Sequence, residues 1–105
     1  MKQEYCIVIT TFAEESNGKQ IIDSLLAQQL AACVQVMPIH SYYHWQGKVN
    51  SDAEKLVLIK TKCALYAKVE EVILAHHAYE VPEIIQVPIT DGFPAYLHWI
   101  EQECC

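Results

Sequence analysis

Arginine is absent from the chain. All seven basic residues are lysines, set against 13 acids, and the formal net charge is −6. That balance excludes a dedicated nucleic-acid surface, which needs a basic face and favours arginine forks on phosphates and guanines. No run of about 18 apolar residues occurs, so no segment qualifies as a membrane-spanning helix, and no membrane partner is expected. The opening MKQEYCIVITTF is interrupted too early to read as a signal peptide. Glycine (three) and proline (four) are scarce, and repeats, linkers and low-complexity stretches are missing. One domain over residues 1–105 is expected. There is also no nucleophile elbow, glycine-rich phosphate loop, HExxH or CxxC. Neither an enzymatic activity nor an organic cofactor is indicated.

What the chain does have is apolar mass. Hydrophobic residues make up 52% and charged residues 19%, which is enough to fold without disulfide staples. The five cysteines are odd in number, so no closed framework uses them all. Reduced thiols and residence in the cytoplasm follow as the expectation.

Periodicity orders the elements. Glu4 to Thr11, with Cys6-Ile7-Val8-Ile9 at its centre, reads as a buried strand. Asn17, three residues before Gln20, is a candidate capping-box start. Ile21, Ile22, Leu25, Leu26 and Leu30 then share one helical stripe. A second strand runs from Ala31-Ala32-Cys33-Val34, bends or breaks at Pro38, and continues through Tyr42-Tyr43-His44-Trp45. Gln46-Gly47-Lys48 is a turn, and a third strand is strongest at Leu56 to Ile59. Leu65, Val69, Val72 and Ile73 mark a second helix ending before Pro82. Glu83 to Pro88 is a short strand, and Phe93, Tyr96, Leu97 and Ile100 mark a last helix with Pro94 in its first turn. The order β-α-β-β-α-β plus a terminal helix is the α+β, ferredoxin-like split β-α-β pattern, with an antiparallel sheet.

The hairpin has a consequence. A strand from Val49 to Thr61 would be roughly 40 Å long at about 3.3 Å per residue. A globule of this size has a radius of gyration of about 13 Å. An apolar hairpin carrying Tyr42, Tyr43, Trp45 and Val49 then projects past its own core and needs another chain to cover it. The alternative is a break at Asn50-Ser51-Asp52.

Among chemistry-bearing residues, His76-His77 stands out, because imidazole binds copper, zinc and nickel. Adjacent helical residues point about 100° apart, yet these two fall where the helix should end and the backbone can turn. The competing reading places His76 on the apolar stripe and His77 in solvent. His40 and His44 share a strand face about 13 Å apart, too far to grip one ion. Cys104-Cys105 is either a frayed tail or a vicinal pair for a soft ion. Cys6, Cys33 and Cys63 read as packing residues. Lys60 is a candidate to face Glu83 across a pocket, an ordinary surface ion pair being the alternative.

Five segments occur in order: Leu30-Ala31-Ala32-Cys33-Val34, Tyr43-His44-Trp45-Gln46-Gly47-Lys48, Lys60-Thr61-Lys62, His76-His77-Ala78-Tyr79-Glu80-Val81-Pro82-Glu83-Ile84 and Tyr96-Leu97-His98-Trp99-Ile100. Together they resemble the divalent-cation tolerance protein family, CutA, from about Val8 to Ile100. The resemblance implies a homotrimer, non-enzymatic, with copper or another divalent metal ion as ligand and a role in ion tolerance. It implies His76 and His77 as metal ligands. The family's third copper-associated position, a cysteine, reads Thr10 here, a poor copper donor. The alternative function is a signalling or scaffold module that binds a small molecule or protein in inter-subunit clefts. Trp45, Lys60, Tyr79, Glu83 and Trp99 are the pocket candidates; packing in a trimer interface is the other account of them.

Overall fold

The computed structural model describes residues 4–105, so residues 1–3 of the expected 1–105 domain, and the start of the MKQEYC segment, lie outside the described residues. The elements are β1 (Tyr5–Phe12), α1 (Glu15–Ala27), β2 (Cys33–Trp45), β3 (Lys48–Lys62), α2 (Tyr66–His76), β4 (Ile84–Ile89) and α3 (Pro94–Glu103), with a single 3-10 turn at Cys63–Leu65. The strands form one antiparallel sheet in the order β2-β3-β1-β4. This is the ferredoxin-like arrangement expected from the element order.

Alternation along the strands decides the layers. Cys6, Val8 and Thr10 of β1 lie on the same face as Val57, Ile59 and Thr61 of β3, and all are buried. Ile21 and Leu25 of α1 and Val69 and Ile73 of α2 complete the core, which Ile100 of α3 also joins. The opposite face carries Ile7, Ile9, Leu56, Leu58, Met37, Ile85 and Val87. It is apolar yet open: Met37 is 47%, Ile85 48% and Val87 40% exposed.

The hairpin is longer than expected and unbroken. Pairing runs from Cys33↔Lys60 through Pro38↔Lys55 to Trp45↔Lys48. Pro38 does not interrupt β2, because β2 is an edge strand and the missing N–H faces no partner. Nor does Asn50-Ser51-Asp52 break β3. β1 pairs only with Lys55–Lys62, so the hairpin from Ile39↔Glu54 outward is a two-stranded ribbon beyond the sheet. A 15-residue strand spans about 45 Å, and the molecule is 44 Å in its longest dimension. Gln46 (φ 51°) and Gly47 (φ 75°) both turn through positive φ, the two-residue loop that matches strand twist and sets this register.

Two local expectations fail. Asn17 is not a cap: α1 starts at Glu15, no side chain caps it, and the Asn17 amide donates instead to the His76 carbonyl, 3.1 Å away. Leu30 lies past the end of α1 but is still buried, whereas Leu26 is exposed. Gly18, inside α1, is required by packing: a Cβ there would run into the Phe12 ring. Gly18→Ala should therefore lower stability by roughly 1–3 kcal/mol despite alanine's better helix propensity. A raised or unchanged denaturant midpoint in this variant would contradict that packing.

Candidate functional site

The histidine pair sits where α2 ends. His76 is its last residue; His77 caps it in an extended conformation, its N–H still bonded to the Ile73 carbonyl at 2.9 Å. Both side chains are half-buried. The His77 ring is oriented from both sides. Its Nε2 lies 2.6 Å from the Thr11 carbonyl oxygen, which can only accept, so Nε2 carries the proton. Its Nδ1 is then a lone pair, and it accepts the Tyr79 backbone N–H at 3.1 Å. No hydrogen bond to the His76 ring is found among the described residues. The negative end of the α2 dipole falls here, which favours a cation.

Tyr79 carries the site further. Its ring lies 4.6 Å from that of His77, and its hydroxyl donates to Glu54 at 2.6 Å. Tyr43 likewise donates to Asp52. Burial and then the Glu54 hydrogen bond push the Tyr79 hydroxyl well above the ordinary phenol range. At Tyr43 the Asp52 bond has the same effect. Tyr43, Trp45, Tyr79, Glu80 and Val81 line a cavity of about 230 Å³. An adjoining groove of about 460 Å³ includes Thr11, Glu54, Pro82 and Glu83. The histidines and the pocket, separate in the sequence reading, are thus joined through Tyr79.

The expected pocket set divides in two. Trp45, Tyr79 and Glu83 belong to these adjoining cavities. Lys60 does not face Glu83; its ammonium lies 5.4 Å from the Tyr96 ring, which stacks on Trp99 at 5.6 Å. Lys60 is 12 residues along β3 from Lys48, the partner of Trp45, or roughly 40 Å. Strand length alone keeps the two halves apart within one chain. Sequence reasoning missed Glu54, Asp52 and Asn17. The turn at Gln46-Gly47 carried the signal for Asp52, since it places Asp52 diagonal to Tyr43; nothing local marks the other two.

Thr10, next to Thr11 on β1, is fully buried, and its hydroxyl has no partner among the described residues. Among the described residues no group of three or more His, Cys, Asp or Glu stands together to enclose an ion. At His77 the carbonyl on Nε2–H leaves Nδ1 as the ring's lone pair, which is the usual orientation of a liganding imidazole.

The CutA1 divalent ion tolerance protein family model matches residues 6–103. The chain belongs to that family. Protein CutA, chloroplastic, of Arabidopsis thaliana is 43% identical over 96 residues, covering 90% of this chain and 53% of that protein. The divalent-cation tolerance protein CutA of Thermus thermophilus is 39% identical over 97 residues, covering 91% and 94%. The crystal structure of CutA1 from Oryza sativa matches with a TM-score of 0.92 at 38% identity, covering 98% of this chain and 95% of that one. The chain spans about half the length of the plant and mouse relatives it matches. One expectation is overturned. CutA proteins are not simply cytoplasmic: the Arabidopsis and rice relatives are named chloroplastic, and the Archaeoglobus fulgidus structure is of a periplasmic CutA. Free thiols were a poor guide because a buried cysteine such as Cys6 carries no address.

Two outcomes follow from the geometry. Thr10→Val removes an unsatisfied buried hydroxyl at nearly constant shape, and should raise unfolding free energy by about 1 kcal/mol in denaturant titration. Raised tyrosine pKa values mean that the unfolded state loses protons first. Stability is then intact below about pH 10 and falls as pH rises above it. Tyr79→Phe should flatten that fall in melts from pH 8 to 11; an unchanged slope would contradict the Glu54 contact.

Proposed function

We propose that this CutA protein is a non-enzymatic homotrimer that binds divalent metal ions, copper among them, and acts in tolerance of those ions, with His76 and His77 as the ligands. The observation that carries the reading is the orientation of His77. Its Nε2–H is spent on the Thr11 carbonyl, and only the Tyr79 N–H must yield for Nδ1 to take an ion. His76, the adjacent imidazole, is the second donor. A bound divalent ion would supply a positive charge at the α2 C-terminus, where the helix dipole favours it. Membership in a family whose relatives are named for divalent-cation tolerance supports the same reading. The open apolar sheet face and the projecting ribbon support assembly, since an isolated chain would expose both.

A second reading is favoured by the split pocket. Trp45, Tyr79 and Glu83 lie at one end of β3, while Lys60 and Trp99 lie at the other. In a closed ring the ends of neighbouring copies can meet, and a cleft between subunits then takes a small molecule or protein partner.

Calorimetric titration with Cu²⁺ at pH 7.5, with accessible thiols alkylated, separates the readings. Wild type should bind with micromolar affinity or better, and His76→Ala/His77→Ala should lose it. Equal binding by both proteins would remove the histidines from the site. Thr10→Cys, which supplies a soft donor beside the pair, should tighten binding about tenfold or more. Trp45→Ala should leave metal affinity unchanged on either account, and should abolish partner capture only on the second. In sedimentation, Val87→Glu on the open face should break the trimer; a persistent trimer would place the interface elsewhere.

A further inference from the structure

Two thiols distant in sequence, Cys6 and Cys63, meet at the other end of the core, with Cys104 nearby. Cys6 lies on the helix-covered face of β1, opposite Thr61. Cys63 comes two residues after Thr61, and its N–H bonds the Glu4 carbonyl at 2.9 Å, which prolongs the β1–β3 ladder past the end of β3. Cys6 and Cys63 are therefore diagonal neighbours on one face, with Cβ atoms about 7 Å apart or closer. Cys104, just past α3, brings its Sγ to 3.7 Å from the Thr61 hydroxyl. That hydroxyl is held in place by donating to the Leu30 carbonyl at 2.6 Å.

Cys6 and Cys104 are buried and Cys63 is half-buried. Burial first, and then the neighbouring thiols of Cys63 and Cys104, push the Cys6 thiol up to about 12. A thiol held protonated is a poor nucleophile, so alkylation or oxidation chemistry at neutral pH is disfavoured there. A soft cation reverses the balance, because its charge stabilises thiolate and expels the protons. Among the described residues no group of three or more His, Cys, Asp or Glu encloses an ion here, which disfavours hard ions and those that need four ligands.

We propose that Cys6 and Cys63 form a second metal site, specific for Cu(I), in which one ion is held between two thiolates. One Cu⁺ replaces two thiol protons, copper keeps its oxidation state, and the complex carries one negative charge. Lys62, paired with Glu101 at 3.0 Å, is the cation whose charge reaches the Cys104 thiol. Five residues of β1, roughly 16 Å, separate Cys6 from Thr11 and the histidine pair. The two sites are thus independent, and they divide copper by oxidation state: imidazole for Cu²⁺, thiolate for Cu⁺.

The test is an anaerobic titration of the full chain with Cu(I) against a chromogenic Cu(I) chelator. Wild type should hold one ion per chain and release two protons per ion into weak buffer. Cys63→Ser should lose at least about 100-fold in affinity. His76→Ala/His77→Ala and Cys105→Ser should bind as wild type does, so a failed Cu²⁺ titration leaves this result standing. Because Cys6→Ser alters the core, its fold is checked by thermal melting. If it does not fold, protection decides: bound Cu(I) must slow alkylation of Cys63 in wild type. Wild-type affinity in Cys63→Ser overturns the proposal. So does loss of binding confined to Cys104→Ser/Cys105→Ser, which moves the ion to the tail. A mass lower by two hydrogens without retained copper also overturns it, since the pair is then a disulfide.

Discussion

Backbone pairing along β3 is the constraint on which the rest depends. Its outer half is bonded to β2 alone and its inner half to both β2 and β1. The inner half carries the core through Val57, Ile59 and Thr61. The outer half places Glu54 and Asp52 under the tyrosines. A slip of one residue would turn every one of these side chains to the other face. The two-residue turn at Gln46-Gly47 prevents that slip, and Pro38 can lie within β2 because only an edge strand tolerates it.

Tyr79 couples what β3 places to what α2 ends. One residue bonds His77 through its backbone, Glu54 through its hydroxyl, and the His77 ring by contact. An ion that displaced the Tyr79 N–H would therefore act on the wall of the neighbouring cavity as well. Metal and cleft readings share this residue, and they separate only at Trp45 and at His76.

The sheet's two faces have different fates. One is closed by α1 and α2 so tightly that Gly18 must lack a side chain beneath Phe12. The other meets α3 only at one end, where Tyr5, Lys60 and Lys62 contact Glu101 and Tyr96, and is apolar and open at Met37, Ile85 and Val87. The C-terminus belongs to the closed side. Cys104 is buried and the Cys105 N–H bonds the Gln29 carbonyl at 2.9 Å, so the last residues are packed rather than frayed. That packing brings a third thiol to Cys6 and Cys63.

The sequence by itself determined the element order, the antiparallel hairpin and the terminal helix beginning at Pro94. Those rest on periodicity and turn chemistry, which act within a few residues. The recurrent segments around His76-His77 and Tyr43 to Lys48 also carried the family. Three of the five pocket candidates, Trp45, Tyr79 and Glu83, line adjoining cavities as well. Tertiary structure alone decided the rest. Asn17 reaches the His76 carbonyl across 59 residues, and His77 finds Thr11 across 66. Lys60 turned to Tyr96 rather than to Glu83. Cys104 meets Thr61 across 43 residues. Such contacts leave no local period, because they are set by how helices settle on a sheet; capping preference at Asn17 lost to a carbonyl that only the folded chain could present.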